Sequence, residues 1–260
     1  MIMRRRRTAI LLTALAIAGL SLGTQAARAN TVDIVHDGHG AGGTLLFTGA
    51  GYDFFDFAEA NAGVYMLNKT ADSGIGNTWP NALIPGFCIE LQEPAPTSTH
   101  TYQVMMPEDA YNSVTGQTLG TTRANYVREL WAKYYDNSWG TSGAHTAGQN
   151  AAAEAFSAAV WAIVYKDLPA SPLGWDISVD GTLGSGGVRA EELDTTTANT
   201  WLHSLVGSGP KADLRIFVNQ GQQDYLVAVP EPATVLLLGL GGLLSLMGGR
   251  RSRASRLIER

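Results

Sequence analysis

The chain has 260 residues, 18 Lys and Arg against 23 Asp and Glu, and one cysteine. Setting both ends aside leaves a body, 30–229, with eight basic and 21 acidic side chains, a formal charge of −13 that the whole-chain value of −5 conceals. That sign argues against nucleic acid and anionic membrane surfaces as partners, and one cysteine rules out an internal disulfide and a thiolate zinc site.

The N-terminus reads as a removable leader. Arg4 to Arg7 precede an uncharged apolar stretch from Ala9 to Leu22, and small residues follow, ending in Ala27-Arg28-Ala29. Charged, apolar and A-x-A parts in that order predict a secretory signal peptide over 1–29, with Ala27 and Ala29 at the cleavage site. Residues 30–229 then form an exported body of 200 residues, enough for one packed core.

Strands come first. "TVDIVHD", "GTLLFTG", "GVYMLNK", "GFCIELQ" and "HTYQVMM" are short β-branched and aromatic runs separated by Gly, Asn, Asp and Pro. The middle is helical. Tyr126, Val127, Leu130, Trp131 and Tyr134 recur at helical spacing. So do Phe156, Ala159, Val160, Ile163 and Val164, and again Ala198, Trp201, Leu202, Leu205 and Val206. "DLRIFVN" and "DYLVAV" predict two final strands. The expected fold is α+β, a β-sandwich or barrel-like body with a helical insertion.

After the body, Ala233 to Gly249 carry no charge, a helix of about 25 Å at ~1.5 Å per residue. Arg250, Arg251 and Arg253 follow, and their charge assigns that end to the cytoplasm. Pro230-Glu231-Pro232, an apolar helix and a terminal arginine cluster together resemble the PEP-CTERM sorting signal of exported proteins in Gram-negative bacteria. The resemblance covers 230–260. It implies transient anchoring in the inner membrane, an exosortase as processing partner after the secretion translocon and signal peptidase, and a cell-surface or extracellular-matrix destination in an exopolysaccharide or biofilm context.

In the body, strand alternation puts Cys88 and Glu90 on one face of "GFCIELQ" and Phe87 and Ile89 on the other. A buried inert thiol is the ordinary state of a free cysteine, though an exported protein seldom keeps an idle thiol exposed to oxidation. Phe87-Cys88-Ile89-Glu90, with "AFSAAVWAIVY" downstream, is similar to the thioester-domain family of bacterial surface proteins over about 45–229. "RELWAKYYDN" and "TANTWLHSL" add to the likeness. The family condenses its Cys with a Gln on the helix into an electrophilic thioester. Aligning Phe156 and Trp161 with the family's Phe and Trp leaves Ser157 where the Gln belongs, and a hydroxyl offers no carboxamide. Gln149 stands two turns upstream; Gln92 and Gln117 are the other glutamines weighed.

Three readings of Cys88 stay open: a thioester-like body that has lost its bond, a covalent adhesin, and a cysteine hydrolase with His36, His39, His100, His145 or His203 as base. A mid-strand thiol lacks the helix N-terminus that stabilises a thiolate. His36-Asp37-Gly38-His39 reads as a solvated turn before it reads as a metal fragment. Asp176, Asp180 and Gly181 read as a turn, lacking the spacing of an EF-hand. Trp79, Trp139 and Trp175 are the loop tryptophans available for stacking on a sugar; Trp131, Trp161 and Trp201 belong with helical cores. The expectation is a non-enzymatic protein without cofactor or metal, binding an extracellular polysaccharide or surface partner.

Overall fold

The computed structural model describes residues 29–49, 58–112, 116–179 and 187–231. Within them the elements run β1 (Thr31–Gly49), β2 (Ala58–Ser73), β3 (Leu83–Cys88), β4 (His100–Met105), β5 (Tyr111–Asn112), β6 (Gln117–Thr118), α1 (Gly120–Tyr134), α2 (Ala147–Tyr165), β7 (Val188–Glu191), α3 (Thr195–His203), β8 (Leu214–Asn219) and β9 (Gln222–Ala228). The helices are inserted between β4 and β8 of a sheet-rich body.

The strands close on themselves. Pairing runs β1-β2-β3-β9-β8-β4 and back to β1, all antiparallel. A closed ring leaves no sheet edge along those segments, so the barrel alternative holds for this part. β1 is one strand where the sequence predicts two. Its register against β2 shifts after Asp33, between His36 and His39, and between His39 and Gly42, so the glycine-rich "HDGHGAGG" is bulged strand rather than a turn. The far halves of β1 and β2 leave the ring as a long hairpin, to which β7 adds along Leu46–Gly49.

Alternation sorts the side chains. Val32 pairs with Tyr102, Val104 with Phe217, Phe217 with Tyr225, and Tyr225 with Cys88, an inward row round the ring. Phe87 faces outward, its ring 4.7 Å from Phe156 and 5.5 Å from Trp131. The helices therefore cover the outside of the barrel.

α2 is buried on every side, without a break from Ala155 to Tyr165. A helix that apolar all round belongs in a core. It lies between the β1–β2 hairpin and α1 and α3, and burying Phe156, Val160 and Ile163 contributes about 1.5–3 kcal/mol each. Its start is fixed by a capping box, in which the Gln149 amide donates to Thr146 Oγ1 (3.2 Å) and the Thr146 amide to Gln149 Oε1 (2.9 Å). At its end the Arg123 guanidinium donates to the carbonyls of Ile163 and Lys166, answering the negative end of the helix. Glu129 of α1 ties down the chain after α3 by accepting the amides of Val206, Gly207 and Gly209 and pairing with Lys133 at 2.7 Å.

No helix among the described residues is long and apolar enough to cross a membrane. The expected membrane helix 233–249, Arg250, Arg251 and Arg253, Pro232, and the leader through Arg28 with Ala27 lie outside the described residues.

Candidate functional site

Cys88 is the last residue of β3 and 2% exposed. Its thiol donates to the Glu90 carbonyl at 3.4 Å. Two α2 side chains one turn apart hold the chain that follows. Trp161 Nε1 donates to the Cys88 carbonyl at 2.9 Å; the Tyr165 hydroxyl donates to Ile89 O and accepts from Leu91 N, each at 3.0 Å. Because the strand stops at Cys88, Glu90 does not share a strand face with it. Burial pushes the thiol pKa far up, the nearby Glu90 and Asp224 carboxylates add to this, and the bond to the Glu90 carbonyl offsets it only in part. A thiol so placed stays protonated and is a poor nucleophile.

Position 157 has its own task. The Gly63 amide donates to Ser157 Oγ at 2.7 Å, and seven residues earlier on the same helix the Gly42 amide donates to Asn150 Oδ1 at 3.2 Å. Two turns of α2 thus satisfy the bulged β1–β2 hairpin. The close approach of β1 demands glycine there: Gly63 has φ +129°, and a Cβ on it would stand 2.3 Å from Ala41 O. Gln149, the upstream glutamine, is spent in the capping box and on Ser138 Oγ at 3.0 Å; Gln92 and Gln117 are exposed.

Of the five histidines, His36 and His39 come together. Their ring centroids are 4.6 Å apart, and they stand 5.2 and 4.9 Å from the ring of Tyr65. Burial lowers both imidazole pKa values, and His39 is lowered further by His36. They line a cleft of about 220 Å³ with Tyr65, Glu59, Glu93 and Gln223. His100 meets Ser98 Oγ, and His203 meets the Trp175 carbonyl. No group of three or more His, Cys, Asp or Glu suited to a metal occurs among the described residues.

Sequence reading passed over Tyr65, Glu59 and Gln223. For Glu59 and Tyr65 the signal available was the alternation of polar residues in "AEANAGVY", which opens β2; for Gln223 there was none. Asp224 was missed too. It is 5% exposed, and burial, with Glu90 and Glu93 near, raises its pKa to about 8 against the opposing bond from the Asn219 amide.

The tryptophans left open for sugar stacking are buried: Trp79 2%, Trp139 4%, Trp175 2%. Each pins a loop, Trp79 through an Nε1 bond to Ala228 O (2.8 Å) and an edge contact with Phe217. Trp201, expected in a helical core, is half-buried and stacks on Tyr134. Asp176 serves its turn by accepting from Ser178 and Asn199; Asp180 and Gly181 lie outside the described residues.

β9 ends at Ala228; Val229 and Pro230 are half-buried and Glu231 is exposed. From that point, residues 228–253 match the family model of the PEP-CTERM protein-sorting motif. The tail is similar to that motif. A PEP-CTERM motif points to an exported protein with a C-terminal sorting signal and an exosortase as its processing partner. No curated protein and no solved structure matches the chain.

Proposed function

We propose that this chain is an exported cell-surface or matrix protein whose leader (1–29) and sorting tail (230–260) are removed in processing, leaving a body (30–229) that binds an extracellular polymer or surface partner without covalent chemistry. The body is read as a thioester-like domain without its bond. The observation that carries this is the pairing of the Ser157 hydroxyl with the Gly63 amide while Cys88 sits sealed and protonated. Neither group is spared for a thioester or for nucleophilic attack.

Intact mass spectrometry of protein from the producing cell tests the reading. The expected mass starts after Ala29, stops near Pro230, and shows neither the loss of one ammonia nor a change with methylamine. An ammonia deficit that methylamine reverses would establish a covalent adhesin instead. Co-sedimentation with the extracellular polymer of the same cells tests the binding role, and absence of binding there rejects it. Cys88→Ser is expected to leave that binding unchanged.

A further inference from the structure

A nucleophile is buried at the end of the barrel where β9 finishes. Lys69, on β2, has no exposed side-chain surface. Its Nζ touches the Asp72 carboxylate and donates to the Trp79 carbonyl at 2.7 Å and to Asn81 Oδ1 at 2.9 Å. A carbonyl bond is ~1.23 Å long, so Asn81 Cγ lies no more than about 4.1 Å from Nζ. Reacting atoms need to approach to about 3–3.5 Å. The lysine is held still, with its backbone paired to Ile34 and its amide donating to Ala82 O. Asn81 is exposed, so its carboxamide has room to turn about Cβ–Cγ and close the remaining gap. Asp72, half-buried, stands between the sealed amine and solvent.

We propose that Lys69 and Asn81 join in an intramolecular amide cross-link. Asp72 takes a proton from the Lys69 ammonium, and the freed lone pair of Nζ attacks Asn81 Cγ. The Nζ–Cγ bond forms and the Cγ–Nδ2 bond breaks. Protons shed by Nζ pass through Asp72 to Nδ2, which leaves to solvent as ammonium. No oxidant or other reagent enters. Folding supplies the encounter, since well-oriented groups in one molecule react as if at about 10⁵–10⁸ M. The reaction also exchanges a buried ion for a neutral amide and so removes a desolvation cost. An exported chain with one cysteine has no internal disulfide to tie it. This link closes the segment 69–81, which carries Trp79 and its bond to Ala228 O. The inference goes beyond the binding reading and concerns the opposite end of the barrel from the cleft.

Trypsin mapping of the chain from the producing cell, unfolded in denaturant, tests it. Between Arg28 and Arg123 the only trypsin site is Lys69. A linked Lys69 is not cut, so one peptide ending at Arg123 is expected, lighter than its sequence by one ammonia. The mass expected from processing alone falls by the same amount, and methylamine leaves that deficit in place. Asn81→Ala is expected to restore both the cut after Lys69 and the full mass. Asp72→Ala is expected to lower the linked fraction at least tenfold. A cooperative unfolding transition in both variants shows that the fold is intact. Cleavage after Lys69 with no deficit in the natural chain overturns the inference, as does a deficit that survives Asn81→Ala. An Asp72→Ala chain that links as completely overturns the proton relay. Failure of the non-covalent binding reading shows separately, as a deficit that methylamine reverses while Lys69 is cut.

Discussion

The two ends of the barrel handle polar groups in opposite ways. At one end, where β1 begins and β9 finishes, Lys69 is buried with its ammonium donating to Asp72, the Trp79 carbonyl (2.7 Å) and Asn81 Oδ1 (2.9 Å). Trp79 closes over Phe217 and binds Ala228. Every donor of that charge has an acceptor, as a buried ion requires. At the other end the partners run out: His36 Nε2 and Gln223 Oε1 are buried without them, and the imidazoles of His36 and His39 pack against the Tyr65 ring. One end pairs its buried charge completely, and the other leaves buried acceptors unpaired. Both boundaries proposed for the body, Asn30 and Val229, belong to the sealed end: Asn30 O accepts the Val104 amide and the Val229 amide donates to Asp213 O. The cleft is therefore presented on the side away from the sorting tail.

Trp79→Ala breaks the contrast most severely. It opens a cavity under Phe217 and frees the Ala228 carbonyl, at a cost of about 3–5 kcal/mol, to be read as a lower midpoint in denaturant unfolding. Ser157→Ala strikes near the open end. The Gly63 amide stays buried and loses its acceptor, an expected cost of about 1–3 kcal/mol. If Ser157→Ala is neutral, the hydroxyl is not what holds the hairpin to α2.

The acid at the open end adds a pH dependence. Folding keeps Asp224 protonated up to about pH 8, whereas the unfolded chain ionises it near 3.8. Between those values the folded state holds the extra proton. Stability is thus full below the lower value and falls as pH rises toward the upper, by about 1 kcal/mol per pH unit at most. Asp224→Asn keeps an acceptor for the Asn219 amide and should flatten that slope; an unchanged slope assigns it to other groups. The smallest effect is expected midway along the barrel, where the Tyr102 and Tyr225 hydroxyls are buried without partners. Phe at either position should raise stability by about 1 kcal/mol, since a hydroxyl desolvated without a partner is removed.

Much of the fold was legible because it depends on period. The three helical stripes became α1, α2 and α3, although α3 ends at His203, short of Leu205 and the exposed Val206; the strand-like runs overlap β1–β4, β8 and β9, "GFCIELQ" only as far as Cys88. What escaped depends on long-range pairing. Nothing local says that "HDGHGAGG" is strand: the bulges at His36 and His39 exist because β2 runs alongside and α2 supplies Asn150 and Ser157 to the amides of Gly42 and Gly63. Pro85 hid the start of β3, since a proline reads as a break until its neighbour is known. The site followed the same rule. Cys88 and Ser157 were found through chemistry and alignment, whereas the cleft draws on β1, β2, the chain after β3 and the start of β9, residues that only the closed ring brings together.

The junction at Val229 has one further consequence. Ordered structure runs to within one residue of Pro230, with the Ala228 carbonyl held by Trp79 and the Val229 amide by Asp213, so there is no slack leash between body and tail. A cut at or beyond Pro230 releases a domain with its last strand complete. A cut three residues earlier would take Val227 to Val229 and pull out the latch that Trp79 closes. The margin between a finished product and a fraying one is a few peptide bonds.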